Sequence, residues 1–516
     1  MIRGSRGVWM RLASLALASL AVVACNDDGG GGDSPNTMAG AGAAGGTGGS
    51  AGAGESGMNG ASGMGTVGGM TGGGSGAGGM TGGSSGTTGG SSGTTGGSSG
   101  ESGVGGSGGT TPIEGCPVIV SDADCDESKA PFVFIHGTYG SGDNIGNIAQ
   151  LFGSNGFCQD RFIAVDYNSL GGNPMAELTQ VVDKLIADTG HEQVVLAGHS
   201  QGTSHCRTFL NDPANAAKVS HYINYSGTGA VPEAVNVLSV SSEMDIGNTP
   251  LHASGADEMV TYTTADHFTL AASKEAFVDT WKYLYGSDPM YTDVQCGDEM
   301  VTLAGIAETF AENIRITAGE IRVHELGDDP RERGEPVLVI SSANNGVIPP
   351  FQLKRDVAYE FESLDGDGVL IGHMYFAPFK RSNYLLRFLA PSDNPLVSIL
   401  STDNIDRNAA HVGMVFRYTG GAFRKDLGHS LKINGNEVLS DENAGPATTT
   451  VGLFLYDDDL NMMTSLGAPF TAPFLVGSDV FVAAEPAAMM EIDWNGYVMH
   501  VPNMPSDKGL VSIMLP

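Results

Sequence analysis

Val194-Val195-Leu196-Ala197-Gly198-His199-Ser200-Gln201-Gly202 is the stretch from which the fold is read. Its first four residues are apolar without alternation, the pattern of a strand covered on both faces. The last five fit G-x-S-x-G, a turn so tight that glycine is needed on both sides of the serine. A buried strand that runs through this turn into a helix lifts the Ser200 hydroxyl to the carboxyl edge of a sheet. Ser200 is therefore the candidate nucleophile. Gln201, directly after it, offers a backbone N–H to an oxyanion formed beside it.

Strand and helix alternate around that stretch. Phe132-Val133-Phe134-Ile135 is a short apolar run followed at once by His136-Gly137, and Phe162 to Tyr167 predicts a second strand. Leu178, Val181, Val182, Leu185 and Ile186 have helical spacing, with Gly190 placed to end the helix. Tyr222 to Tyr225, Val235 to Val240 and Met259 to Thr263 predict further strands. Ser273 then caps a helix carrying Phe277, Trp281 and Leu284. The fold class is α/β, with a mostly parallel sheet covered on both faces across residues 112–293. After Asp293 helical periodicity stops. Short β-rich runs (Ile314 to Ile316, Val337 to Ile340, Met414 to Tyr418, Leu453 to Tyr456, Val480 to Ala483) are separated by turn clusters such as Asn434-Gly435-Asn436. They predict an all-β region across 294–516, a sandwich or barrel or two small ones in series.

A serine hydroxyl needs a base to remove its proton. His267 lies after the last predicted strand of the α/β region and before the Ser273 helix, on a loop at the carboxyl edge. His199 and His205, inside the elbow and on the helix beyond it, read as packing residues; His252 and His221 are weaker alternatives. The acid that orients the imidazole is assigned to Asp245, a short turn after the Val235 strand, with Glu243 and Asp266 as rivals. The second oxyanion donor is expected from the loop after the first strand, at Thr138. No cofactor is implied and no metal ligand set is predicted; Asp122, Asp124 and Asp126 read as an acidic surface loop.

The His136-Gly137 loop, the Gly198–Gly202 elbow, Asp245 and His267 resemble bacterial lipases and esterases of the α/β-hydrolase superfamily, across roughly 130–286. A further similarity, carried by Ala217-Lys218-Val219-Ser220-His221 and by Phe376-Ala377-Pro378-Phe379 to Arg387-Phe388-Leu389, is to a two-domain archaeal lipase whose carboxy-terminal β domain is implicated in binding lipid substrate. The resemblance implies a serine carboxylic ester hydrolase acting on a neutral or apolar ester. In that archaeal lipase the acid directly follows the strand after the nucleophile helix, where this chain has Ser226, so the resemblance does not supply the acid. The same triad serves polyester, amide or thioester hydrolysis, and a tethered, non-catalytic adhesion protein is the alternative of another class. The connections Asn168–Pro174 and Ser226–Ala234 are short where lipases of this superfamily insert lids. The sequence therefore predicts an open cleft.

The chain has 516 residues, 77 of them glycine, and a net charge of -33. Residues 115–516 keep 22 of the 25 basic and 52 of the 58 acidic residues. A body that acidic repels phosphate backbones, which excludes nucleic acid as a partner. Arg3, Arg6 and Arg11 precede an apolar run, Leu12 to Ala24, too short to span a bilayer, and Val22-Val23-Ala24-Cys25 resembles a bacterial lipobox. Residues 1–25 are read as a lipoprotein signal, with Cys25 as the site of lipidation. Residues 26–111, made of Gly, Ser, Thr and Ala, are read as a flexible tether. These readings place the protein on the bacterial cell envelope, held to a membrane by lipid at Cys25. Of the five later cysteines an odd one is left over, and Cys206 is the candidate free thiol.

Overall fold

The computed structural model describes residues 118–327, 333–392, 394, 407–446 and 448–516. Cys25 and the glycine-rich stretch lie outside the described residues. Strands β1 (Phe132–Ile135), β2 (Phe162–Val165), β3 (Val194–His199), β4 (Val219–Tyr225), β5 (Asn236–Ser242) and β6 (Glu258–Tyr262) form one sheet in the order β2-β1-β3-β4-β5-β6. Every neighbouring pair is parallel.

The period of two along each strand sends side chains to opposite faces, and each face meets helices. Phe132 and Phe134 pack with Ile148 and Phe152 of α1 (Gly146–Ser154). Val133 and Ile135 pack on the other face with Leu178 and Val182 of α2 (Met175–Thr189) and Phe209 of α3 (Gln201–Leu210). A single turn, α4 (Pro213–Ala216), leads into β4, and α5 (Lys274–Tyr285) adds Phe277 and Trp281 to the first face. The terminators foreseen in the sequence are in place. Gly190 ends α2 with φ 75°, and the Ser273 hydroxyl accepts from the N–H of Ala276 at the start of α5. Helix α1 was not foreseen. Ile145, at its N-cap, makes no side-chain cap, so no polar signal marks its beginning. Cys125 and Cys158 form a disulfide, Cys296 is disulfide-bonded as well, and Cys206 on α3 is a buried free thiol.

From residue 300 the described elements, apart from 3-10 turns at Lys425–Leu427 and Ser506–Lys508, are strands: β7 (Met300–Thr309), β8 (Gly319–Glu325), β9 (Leu338–Ser341), β10 (Val347–Lys354), β11 (Tyr359–Asp365), β12 (Leu370–Phe376), β13 (Asn383–Ala390), β14 (Met414–Tyr418), β15 (Leu431–Ile433), β16 (Asn436–Glu437), β17 (Gly452–Tyr456), β18 (Thr471–Ala472), β19 (Leu475–Asp479), β20 (Met489–Trp494), β21 (Tyr497–Pro502) and β22 (Leu510–Leu515). They make a three-stranded sheet, β10-β7-β13, a four-stranded one, β16-β15-β20-β21, and a nine-stranded one, β18-β19-β17-β14-β22-β12-β11-β8-β9. The region is all-β, and its halves are joined through one sheet. The last strand, β22, returns to pair in parallel with both β12 and β14, so the large sheet draws on both halves of the region. Ile314 to Ile316 is not a strand; Arg315 makes only an isolated bridge to Glu308. The run at Val480 likewise follows its strand. β19 is built instead from Leu475, Val476, Gly477, Ser478 and Asp479, whose polar residues hide a strand buried at every position.

Candidate active site

In a sheet of this order the connections from β1 and β3 leave in opposite directions, which opens a crevice at their carboxyl ends. The His136–Gly140 loop follows β1 and the elbow follows β3, so both face this crevice. Ser200 has φ 53° and ψ -122°, a strained conformation for a residue with a side chain. The elbow's glycine is sterically required: a Cβ on Gly202 would lie 2.2 Å from the carbonyl oxygen of Ile135. A Cβ on Gly137 would lie 2.8 Å from that of Ser200, so a side chain there would push the loop off Ser200. The two expected oxyanion donors come together. Thr138 Oγ1 donates to Gln201 Oε1 at 3.0 Å, and the hydroxyl of Tyr167 donates to the same oxygen at 3.2 Å.

Asp245 follows β5 and His267 follows β6. Asp245 Oδ1 lies 2.6 Å from His267 Nδ1, and both side chains are buried. Burial by itself would raise the carboxyl's pKa. Hydrogen bonds from His267, from Ser226 and from the Ile246 N–H outweigh it and hold Asp245 below the usual carboxylate range. The Ser241 hydroxyl donates to Oδ2 at 3.0 Å. The rivals stand elsewhere. Asp266 caps the turn that follows it, accepting from the N–H groups of Phe268 and Thr269 and from the Thr269 hydroxyl, and Glu243 is exposed. Of the weaker histidines, His252 bonds Ser239 and Thr261, and His221 bonds Ser220. His199 places Nε2 2.9 Å from the His267 carbonyl oxygen, and its burial lowers its pKa to about 3, so it is a neutral prop beneath the base.

Ser226 was not foreseen as part of the site. Its Oγ lies 2.9 Å from His267 Nδ1, it is fully buried, and it has φ 58°. It stands where the similar archaeal lipase has its acid. A serine at that place in the sequence is the one local signal of this role. A second group of acids, Asp457, Asp459 and Asp479, converges among the described residues. Its oxygens accept from the N–H groups of Asn461 and Met462 and from the Ser465 hydroxyl, as in an acidic loop.

Residues 299–393 match the family model of the lipase C-terminal domain, and residues 402–516 match a second model described as a C-terminal domain. The parallel sheet with helices on both faces is an α/β fold, and the β region behind it carries the match to the lipase C-terminal domain. Among solved structures it is similar to the product of gene lin2722 from Listeria innocua, at 15% identity over 33% of this chain and 98% of that one, with a TM-score of 0.25. It is also similar to the lipase BlEst2 of Bacillus licheniformis in its propeptide form, at 9% identity over 50% of this chain and 93% of that one, with a TM-score of 0.23.

The crevice has a neighbour that the sequence does not show. The short connections after β2 and β4 carry no cap, and the β region brings Phe474 against the site. Phe474, in the turn between β18 and β19, stacks 6.3 Å from the His267 ring and packs edge-on against Phe268 at 4.7 Å. It is held with φ 68°, unusual for so bulky a residue. Ser200 is only 8% exposed. Beside the site lies a pocket of about 140 Å³, lined on one side by Tyr139, His199 and Phe268, the sequence neighbours of Thr138, Ser200 and His267. Its other side is the nine-stranded sheet, through Met374, Val415 and Ile513. The sequence pattern could not show this neighbour, because it depends on which strand of the β region faces the crevice.

Proposed function

We propose that the protein is a serine carboxylic ester hydrolase in which Ser200 attacks the ester carbonyl, His267 takes the serine proton, and Asp245 orients and stabilises the resulting imidazolium. The observation that carries this reading is the buried 2.6 Å contact between Asp245 Oδ1 and His267 Nδ1, on loops beside the strained Ser200 elbow. A low-pKa carboxylate in contact with Nδ1 leaves Nε2 as the basic nitrogen. The N–H groups of Thr138 and Gln201 receive the negative oxygen of the tetrahedral intermediate. The alcohol leaves with the proton from His267, and water then repeats the sequence on the acyl-enzyme. The mainly apolar pocket beside the site, with Tyr139, Phe268, Phe454 and Ile513 in its walls, supports an apolar acyl group as the part of the substrate it takes.

A fluorophosphonate probe tests the nucleophile, because only an activated serine reacts with it. The full chain should be labelled and Ser200→Ala should not be, with ester turnover in that variant lower by a factor on the order of 10³ or more. Labelling that survives in Ser200→Ala would sink the reading. The amino-terminal signal supports a second part of the proposal, that lipid on Cys25 anchors the enzyme at the bacterial cell envelope. Cys25→Ser should release it from membranes in its host; retention would refute the lipid anchor.

A further inference from the structure

Both groups assigned to the oxyanion are backbone N–H groups, so whatever holds their peptide planes also aims them. The Gln201 N–H belongs to the first turn of α3. The Thr138 N–H belongs to the Gly137–Thr138 peptide, and the carbonyl oxygen of that peptide lies 2.8 Å from His136 Nδ1. A carbonyl only accepts, so Nδ1 carries the hydrogen. In a neutral ring the other nitrogen is then an acceptor. Its surroundings agree. Nε2 is met by the backbone N–H of Tyr167 at 3.3 Å and by Asn313 Nδ2 at 3.1 Å. His136 is fully buried, and burial favours the neutral ring more strongly than the Asp166 carboxylate, 3.9 Å from Nε2, favours the charged one. The amide of Asn313 can point only one way. Its Nδ2 also lies 3.0 Å from the carbonyl oxygen of Gly140 and 2.8 Å from that of Tyr167, where an amide oxygen would face two carbonyls, so its two hydrogens serve three acceptors and one of them is shared with Nε2.

Asn313 comes from the β region, in the turn after β7. Ala311 and Asn313 both hold left-handed conformations there, with φ 65° and 51°, a cost that persists only where the surroundings over-determine it. The same turn grips the other side of Thr138. The Ala311 carbonyl accepts from the Ser169 hydroxyl at 2.7 Å, and that hydroxyl accepts from the Tyr139 N–H at 2.9 Å.

We propose that Asn313 is a positioning residue for ester hydrolysis: it keeps His136 in the Nδ1–H form, which locks the Gly137–Thr138 peptide with the Thr138 N–H turned toward the oxyanion. The inference rests on the Ser200 reading above and adds to it that the oxyanion hole is set from the β region. In Asn313→Asp a carboxylate oxygen, with no hydrogen to give, faces Nε2 and the carbonyl oxygens of Gly140 and Tyr167. Nε2 becomes protonated, the neutral Nδ1–H form is lost, and the repelled Gly140 and Tyr167 carbonyls pull the loop and its Gly137–Thr138 peptide out of place. Asn313→Ala removes one donor but leaves the Tyr167 N–H on Nε2, so the ring form survives. Packing alone would rank the near-isosteric aspartate as the milder change; the relay ranks it as the worse.

The experiment measures kcat and KM of the full chain on a soluble short-chain ester, with nitrogen-15 spectra of histidine-labelled protein to read the His136 ring. In Asn313→Asp, kcat should fall by about 10²–10³, the usual cost of one oxyanion donor, with KM little changed. Affinity for an alkylboronic acid, which mimics the tetrahedral state, should fall in parallel. Asn313→Ala should lose about tenfold in kcat at unchanged KM, through looser placement of the loop. If Asn313→Asp does not fold, the alanine variant and the wild-type spectrum still decide. A wild-type His136 protonated on Nε2, or an alanine variant with unaltered kcat, overturns the inference. So does a folded Asn313→Asp protein that is faster than the alanine variant. Phosphonate labelling of Ser200→Ala is the separate result that breaks the nucleophile reading, and this inference falls with it.

Discussion

The parallel sheet of residues 132–262 and the β region of residues 300–515 bury apolar surface in different ways. Phe132–Ile135 and Val194–His199 are buried at every position. Leu338–Ser341 and Val347–Lys354 expose half of their residues or more, while Gly452–Tyr456 and Leu475–Asp479 of the same region are buried throughout. The first pattern needs layers on both faces, and the helices supply them. The second leaves one face to find its own partner, and for the nine-stranded sheet part of that partner is the hydrolase crevice. The two regions are then fastened by charges that neither could bury alone. Arg387 of β13 places Nη2 2.7 Å and Nε 3.0 Å from Asp166 Oδ2, with both side chains buried, while Asp166 Oδ1 accepts the Gly142 N–H at 2.5 Å. Arg417 of β14 reaches Asp143 with both of its terminal nitrogens, at 2.8 and 3.1 Å. The lesson is that the β region is structural support for the active-site loops.

The strongest way to break this comparison is to end the chain after Tyr291. A self-sufficient hydrolase half would keep its activity on small soluble esters. The structure predicts the reverse: no soluble active enzyme, because Asp166 and His136 lose their partners. Recovered, folded and active protein would show that the β region is accessory.

Arg387→Met isolates the fastening. It leaves Asp166 buried without its counter-ion, and breaking such a pair costs about 3–5 kcal/mol. Denaturant unfolding of the full chain measures it. A loss below about 1 kcal/mol, the range of exposed pairs, would mean that water reaches the seam.

Glu308 gives the smallest and sharpest test. It is fully buried, 3.2 Å from Arg315 and 3.5 Å from Arg387. Burial, followed by the charge of Asp166, pushes its pKa up to about 9 against the pull of both arginines. The folded state therefore holds this proton at pH values where the unfolded chain has lost it. Stability contributed at low pH is lost as pH rises from the unfolded value toward the folded one. Glu308→Gln removes that slope, so the variant should gain on the wild type in melting temperature between about pH 5 and pH 9. A variant less stable by the same margin at every pH would show that Glu308 is charged and paired with the arginines.

Legibility in the sequence follows the same division. The elbow, the strands of the parallel sheet, the Gly190 and Ser273 terminators and the crevice placement of Asp245 and His267 are local patterns of spacing and residue type. Helix α1 escaped because its apolar residues Ile148, Leu151 and Phe152 sit among glycines with no capping side chain. Arg387 did leave a signal. An arginine within Leu385-Leu386-Arg387-Phe388-Leu389 has to find a buried acid, and Asp166 closes the apolar Phe162–Val165 strand in the same way. Asn313, Ala311 and Phe474 left none, since a lone residue in a turn has no period and its partners are more than a hundred residues away.

The sequence by itself determined that a parallel sheet forms, that Ser200 stands at its edge, and that Asp245 and His267 follow strands ending at that edge, because each depends on contacts within one or two neighbouring elements. Only the tertiary structure decided that Phe474 packs against the site, that Ser226 joins Asp245 at the His267 ring, and that the β region grips the His136–Gly140 loop. Those outcomes depend on which faces of distant strands meet, and that choice is made by the summed burial of two regions rather than by any one stretch of the chain.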